Sequence, residues 1–146
     1  MTNQYKIGNL LIVAPGEWKD ITDEVDEPAA PFTLAKDLGV GALQFSMAGY
    51  QSGKLPRLTL SALKALRHEF ANRKGFSRPF DVVSIDGSIM ASGGSYHVNE
   101  DLVRVWYCSN GRDVLLVTYV STWSKRNGEA TECDAILSKL KFGKSI

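Results

Sequence analysis

Hydrophobic and polar positions alternate most regularly between Leu102 and Ser121, where two runs of period two flank Asn110-Gly111. Successive side chains of a strand point to opposite faces, so Val103, Val105 and Tyr107 share one face and Leu102, Arg104, Trp106 and Cys108 the other. In the second run Val114, Leu116, Thr118 and Val120 oppose Leu115, Val117 and Tyr119. A strand apolar on both faces belongs inside a sheet covered from both sides, which predicts a central position for this hairpin.

The same reading predicts the strands ahead of it. Phe80 to Ile85 and Gly87 to Tyr96 flank Asp86-Gly87, a pair that tolerates the positive φ of a two-residue hairpin turn. Within the second arm Ser92-Gly93-Gly94-Ser95 offers little to pack and predicts a bulge or bend. Asn99-Glu100-Asp101 predicts the turn into Leu102. Near the start, Leu10 to Ala14 predicts a first strand ended by Pro15-Gly16, with Trp18 to Ile21 extending it after the break. Phe32 to Ala35 is a weaker strand. Gly41 to Ser46 is a better one, with Leu43 and Phe45 on one face. Residues 22–31 are acidic, contain Pro28 and Pro31 and predict an irregular exposed loop. Gly49, Gly53 and Pro56 predict another.

Two segments change period. After Thr59, whose hydroxyl suits an N-cap, Leu60, Leu63, Leu66 and Phe70 recur at helical spacing while Lys64, Arg67 and Arg73 fall largely off that stripe. This helix is expected to stop near Gly75. Trp123 to Gly128 reads as a polar connection. The last helix is expected over Glu129 to Lys139, with Cys133, Ile136, Leu137 and Leu140 at i, i+3, i+4 and i+7. Strands, helix, four antiparallel strands, helix: this order predicts the α+β class, an antiparallel sheet of about six or seven strands packed with two helices.

Composition narrows the class. A chain of 146 residues, 44% hydrophobic and 23% charged, is sized and composed for a single globular domain spanning residues 1–146. The early apolar run Leu10 to Ala14 is too short for a signal-peptide core, and no run approaches the roughly 20 apolar residues of a membrane span. No Asn-x-Ser/Thr sequon occurs, so a cytoplasmic protein without a membrane partner is expected. Cys108 and Cys133 form no CxxC pair and are expected to be buried free thiols.

Net charge is +1, yet its distribution is uneven. Asp20, Asp23, Glu24, Asp26 and Glu27 fall within residues 20–27 with no base among them, which leaves the remainder at +6, since +1 minus −5 is +6. From Lys54 to Arg78 seven bases face one acid, Glu69. Five close carboxylates favour a basic partner surface by long-range steering, so this acidic loop is the candidate partner-binding segment. The basic helix face, with Lys64, Arg67, Arg73 and Lys74, could meet phosphates. However, the overall charge is small and the aromatic residues sit mostly on strands, so no nucleic acid is expected.

Catalytic motifs fail on spacing. Gly49 to Lys54 has the look of a phosphate loop, but its glycines are one residue too close and Leu55 stands where Ser or Thr should meet magnesium. Gly93 to His97 lacks the second glycine of a nucleophile elbow. His68 and His97, the two histidines, have no partner at an indicative spacing, and a hydrogen bond from His97 to Glu100 would account for the latter. EF-hand spacing is absent. The expectation is a protein with no catalytic residues, no metal and no cofactor.

Trp18-Lys19-Asp20-Ile21, Gly41-Ala42-Leu43-Gln44-Phe45-Ser46, Val117-Thr118-Tyr119-Val120-Ser121 and Ile136-Leu137-Ser138-Lys139-Leu140-Lys141-Phe142, in that order around the helix and strands, resemble small bacterial proteins of the PsbP-like α/β sandwich type. The resemblance covers most of the chain and carries no catalytic set. Soluble proteins of this appearance include those encoded beside polymorphic toxins. It therefore implies an immunity protein that occludes a cognate toxin, with the carboxylates of residues 20–27 as the charged contact. The alternative is a small-ligand-binding or accessory domain whose cleft between sheet and helix is lined by Trp106, Tyr107 and Tyr119.

Overall fold

The computed structural model describes residues 2–25, 31–37, 39–48, 58–87, 89–111 and 113–143. Its elements in chain order begin with β1 (Thr2–Ile7), β2 (Leu10–Pro15), β3 (Trp18–Asp20), β4 (Phe32–Lys36), β5 (Gly41–Ala48) and α1 (Leu60–Lys74). They continue with β6 (Phe80–Asp86), β7 (Met90–Val98), β8 (Asp101–Ser109), β9 (Val114–Thr122), α2 (Arg126–Ser138) and β10 (Lys141–Phe142). Short 3-10 turns occupy Thr22–Glu24 and Trp123–Lys125.

The doubly apolar hairpin β8–β9 lies inside a seven-stranded antiparallel sheet of order β3-β4-β5-β9-β8-β7-β6. Both of its faces are covered, as the alternation requires. On one side Val105, Tyr107 and Val114 join Leu63 and Ala71 of α1 in one apolar cluster. On the other, Trp106, Cys108, Leu115 and Val117 join Cys133, Ile136 and Leu137 of α2. Each fully buried Leu, Ile or Val among them contributes about 1.5–3 kcal/mol. Seven strands and two helices match the expected α+β class.

A second sheet was not foreseen. β2 pairs with β1 on one side and β10 on the other, so the Leu10 run stands outside the main sheet and packs over α2. Trp18 to Asp20 does not extend β2 either. It crosses to the large sheet and pairs with β4, because Gly16 and Glu17 turn the chain between the two layers.

Local chemistry explains the helix ends. Thr59 Oγ1 accepts from the Ala62 amide at 3.1 Å, and Gly75 closes α1 at φ 70° with its N–H on the carbonyls of Ala71 and Asn72. Arg67, expected on the solvated face, is buried at 1% exposure. Positions 63, 67 and 71 repeat every four residues and face β7, where Arg67 donates from Nε to Ser92 Oγ at 3.2 Å and from Nη1 to the Tyr96 hydroxyl at 2.8 Å. The remaining bases Lys64, Arg73 and Lys74 are exposed, as is His68.

The Ser92 to Ser95 segment of β7 is regular in its pairing with β8. Its two glycines make room for opposed side chains: a Cβ on Gly93 would stand 2.5 Å from Trp106 Cδ1, and one on Gly94 would stand 3.0 Å from Arg67 Nη1. The bulge falls instead on β6, where register shifts between Phe80 and Val83 and Asp81 adopts φ 49°. Asp86 pairs with Met90 and the Gly87 amide donates to the Ile89 carbonyl at 3.2 Å, so the link is not the expected two-residue turn at Asp86-Gly87.

α2 begins three residues earlier than expected, continuing from the turn at Trp123. It is clasped to the β4–β5 connection by Glu129, only 2% exposed. The carboxylate accepts from Gly41 N at 3.1 Å, Val40 N at 3.3 Å and the Tyr119 hydroxyl at 2.9 Å, with Lys36 Nζ at 3.7 Å.

Candidate functional site

Arg104 is the single charged residue on the inward face of β8, and what surrounds it is a cleft of about 490 Å³ between α2 and the edge strand β6. Ser95, Leu102 and Arg104 form the floor. Positions 126, 130 and 134 of α2, two turns of one helix face, line one wall, together with Asn127 and Thr131. The bulged start of β6, Phe80 to Val83, lines the other.

Each wall is held in place by a specific interaction. Left-handed backbone at a non-glycine residue costs about 1–2 kcal/mol, and at Asp81 it aims the carbonyl inward to Arg104 Nη1 at 3.0 Å. Arg104, 3% exposed, also donates from Nη1 to Ser95 Oγ at 2.7 Å and grips Asp134 through Nε and Nη2 at 3.1 and 3.3 Å. Trp106 Nε1 donates to the same carboxylate at 3.2 Å. Four of the five guanidinium N–H groups are therefore taken, two on Nη1 and one each on Nε and Nη2. Asp134 nevertheless remains 43% exposed toward the cleft.

At the mouth, Arg126 lies over the Trp123 ring, 4.3 Å from its centroid, and its Nη1 donates to the Trp123 carbonyl at 2.9 Å. His97 stacks on the same indole at 3.6 Å and 8°, so its partner is this ring and not the Glu100 carboxylate. Phe80 meets Trp123 edge-on at 5.7 Å. Among the described residues, no three His, Cys, Asp or Glu side chains are placed to hold a metal ion. Burial pushes the Cys108 thiol up to about 12 and raises that of Cys133 as well, which keeps both protonated and poor nucleophiles at neutral pH. The cleft offers fixed donors and acceptors of both signs.

The acidic segment lies at the opposite edge of the sheet. β3 and β6 are its outermost strands, six spacings apart, or roughly 29 Å at about 4.8 Å each. Asp20 Oδ1 accepts from the Thr22 amide at 3.0 Å and its hydroxyl at 2.6 Å, an Asx turn that starts the 3-10 turn. Asp23 and Glu24 project from that turn, and all three carboxylates are exposed. None forms an ion pair among the described residues. Asp26 and Glu27 lie outside the described residues, as does the loop at Gly49 to Pro56.

Trp106, Tyr107 and Tyr119 do not line a common cleft. Trp106 and Tyr119 are buried on the α2 side, while Tyr107 packs edge-on against Phe70 of α1 at 6.3 Å on the other face. The signal in the sequence that marks the cleft is Arg104, a lone charge on an otherwise apolar strand face.

No family model matches the chain, and no curated protein matches it. Solved structures do. The solution structure of cyanobacterial PsbP (CyanoP) from Synechocystis sp. PCC 6803 superposes with a TM-score of 0.67 over 97% of this chain and 92% of that one, at 11% identity. The fold is PsbP-like. The Saccharomyces cerevisiae Ran-binding protein Mog1p shares it, with a TM-score of 0.63 at 7% identity over 97% and 95% of the two chains. A Bacteroides thetaiotaomicron VPI-5482 protein gives 0.61 at 14% identity, with 97% of this chain matched to 48% of that one. At such identities the likeness of this PsbP-like sandwich to its neighbours is one of architecture. Among the described residues no helix is long and apolar enough to cross a membrane.

Proposed function

We propose that this PsbP-like domain is a binding protein without catalytic activity and that its partner is another protein. The observation that carries the reading is the β3–β4 edge, where Asp20, Asp23 and Glu24 are held on one short turn, exposed and without an ion pair among the described residues. Clustered like charges on a fixed turn accelerate encounter with a basic surface and orient it. A Ran-binding protein with the same fold supports the use of such a sandwich for protein recognition.

The narrower form of the proposal is a cytoplasmic immunity protein that covers the active site of a cognate toxin, with residues 20–27 meeting the toxin's basic surface. Co-expression with the product of the neighbouring gene, followed by co-purification and a growth assay, tests it. A complex and relief of toxicity are expected, and the absence of both discards the immunity role. For the acidic edge, the doubly reversed Asp23→Lys/Glu24→Lys protein should associate about tenfold more slowly at low salt with its dissociation rate little changed. An unchanged association rate would remove the edge from the interface.

A further inference from the structure

The cleft between α2 and β6 keeps hydrogen-bonding capacity that neither the core nor the acidic edge uses. On α2, Asn127, Thr131 and Asp134 fall at i, i+4 and i+7, so they share one stripe, and all three line the cleft. The side chains of Asn127 and Thr131 are exposed and make no hydrogen bond among the described residues. Asp134 is 43% exposed, and its Oδ2 accepts a single hydrogen bond, from Arg104 Nη2 at 3.3 Å. That nitrogen keeps its second N–H without an acceptor among the described residues. An acceptor and a donor thus stand side by side, both fixed from behind. Asp134 Oδ1 accepts from Arg104 Nε and Trp106 Nε1, while Arg104 Nη1 donates to Ser95 Oγ and the Asp81 carbonyl. Charge does not select the ligand, because Asp81 and Asp134 balance Arg104 and Arg126 in the lining. The lining is more polar than that of an ordinary small-molecule site. Its apolar part includes Phe80 and Val83 on the wall opposite the stripe, both packed against the main apolar cluster.

We infer that this cleft binds a neutral polyhydroxylated ring, in the class of the monosaccharides. One hydroxyl donates to Asp134 Oδ2, its neighbour accepts from Arg104 Nη2, and a third meets Thr131. Neighbouring hydroxyls on a sugar ring offer a donor and an acceptor a short step apart, the counterpart of an oxygen and a nitrogen 3.3 Å from each other. Thr131 lies three residues from Asp134, roughly 4.5 Å along the helix axis, so one ring reaches both. A sugar carries hydroxyls around its rim and C–H groups on its faces, and a cleft with a hydrogen-bonding wall facing an apolar patch matches that division. An ion is not favoured, since the Arg104 guanidinium already neutralises the Asp134 carboxylate. The volume of about 490 Å³ lies within the roughly 300–1,000 Å³ of small-molecule sites. Stability alone does not call for the construction: a buried Arg–Asp pair is often replaceable by apolar side chains, and the left-handed backbone of Asp81 is a cost.

Glucose, galactose, mannose, ribose and myo-inositol provide the probes, titrated into isotope-labelled protein. Amide signals over residues 127–134, the side-chain amide of Asn127 and the indole N–H of Trp106, which rests on Asp134, report binding. Saturable shifts in the millimolar range are expected from at least one of these polyols. Cyclohexanol, a ring of the same size with one hydroxyl, should cause none. Glucosamine and glucuronate, charged forms of the same ring, should bind no tighter than glucose. Asp134→Asn should abolish saturation. Because that change also unbalances Arg104, Thr131→Val on the exposed rim carries the test without disturbing the fold, and about three- to tenfold weaker binding is expected there. No saturable shift from any of the polyols up to about 100 mM, an equal response to cyclohexanol, a charged form bound more than about tenfold tighter than glucose, or unchanged affinity in Thr131→Val overturns the inference. The Asp23→Lys/Glu24→Lys protein should bind the sugar with unchanged affinity, which separates this site from the proposed protein interface, and a loss of binding there would overturn the assignment to this cleft.

Discussion

Replacing Glu129 tests how α2 is fixed to the sheet. Its carboxylate collects two backbone amides, the Tyr119 hydroxyl and the Lys36 amine in a pocket closed to water. Removing one partner of such a buried set costs about 3–5 kcal/mol, because the donors left behind have neither water nor an acceptor. Against a total of about 5–15 kcal/mol, Glu129→Ala stands near the limit of folding. Glu129→Gln is the informative variant. It keeps one acceptor oxygen but turns an NH2 toward groups that themselves donate, and a loss of about 2 kcal/mol is expected, a fall in Tm of about 4–8 °C. Urea unfolding should show a lower midpoint with unchanged slope, and hydrogen exchange at Val40 and Gly41 should accelerate. Glu132→Gln, which touches Lys36 at the surface at 3.0 Å, serves as the control and should stay within about 0.5 kcal/mol. If Glu129→Gln falls in that same range, or if the two amides keep their protection, the clasp is not what holds α2.

Gly93→Ala should lose about 1–3 kcal/mol, since the new Cβ meets Trp106 at 2.5 Å and Val83 Cγ2 at 3.1 Å while Trp106 is tied to Asp134; an unchanged urea midpoint would contradict that packing. Cys108 and Cys133 should resist an aromatic disulfide reagent in the native protein and react after unfolding, and fast native labelling would refute their burial. Burial raises both thiols from an ordinary 9.0, and that of Cys108 reaches about 12. Their contribution to stability is thus whole below pH 9.0 and is lost above it, as the unfolded thiols ionise first. Each thiol should lower the unfolding free energy by about 1.4 kcal/mol per pH unit in that window, and flat urea midpoints between about pH 8 and pH 10.5 would refute the linkage.

The central hairpin was legible because burial on both faces is written directly into a period of two. Thr2 to Ile7 was not: an edge strand half in solvent needs only Asn3, Tyr5 and Ile7 inward, and its polar alternation looks like loop. β10 is two residues long, and its partner Leu10–Leu11 is some 130 residues away, so no local pattern announces it. The glycine pair of β7 reads as weakness until register places Trp106 against one side and Arg67 against the other. Similarly, the four-residue repeat of α1 hid Arg67 among apolar neighbours. At the cleft, Arg104 could be singled out from its strand, whereas Asp134 and the carbonyl of Asp81 become its partners only through tertiary contact. The acidic edge was visible as composition, and the structure adds that Asp20 is committed to an Asx turn while Asp23 and Glu24 stand free of ion pairs among the described residues.

The small sheet has a consequence for how the chain folds during synthesis. Leu10, Ile12 and Ala14 are synthesised more than 100 residues ahead of the surfaces that bury them, α2 and the strand Lys141–Phe142. Closing contacts so distant in sequence is slow, since loop entropy is spent before any contact repays it. The β1–β2 hairpin must wait with its apolar side open until the chain has been made as far as Phe142. Strands β1 and β2 therefore come to rest only after α2 and β10 have formed.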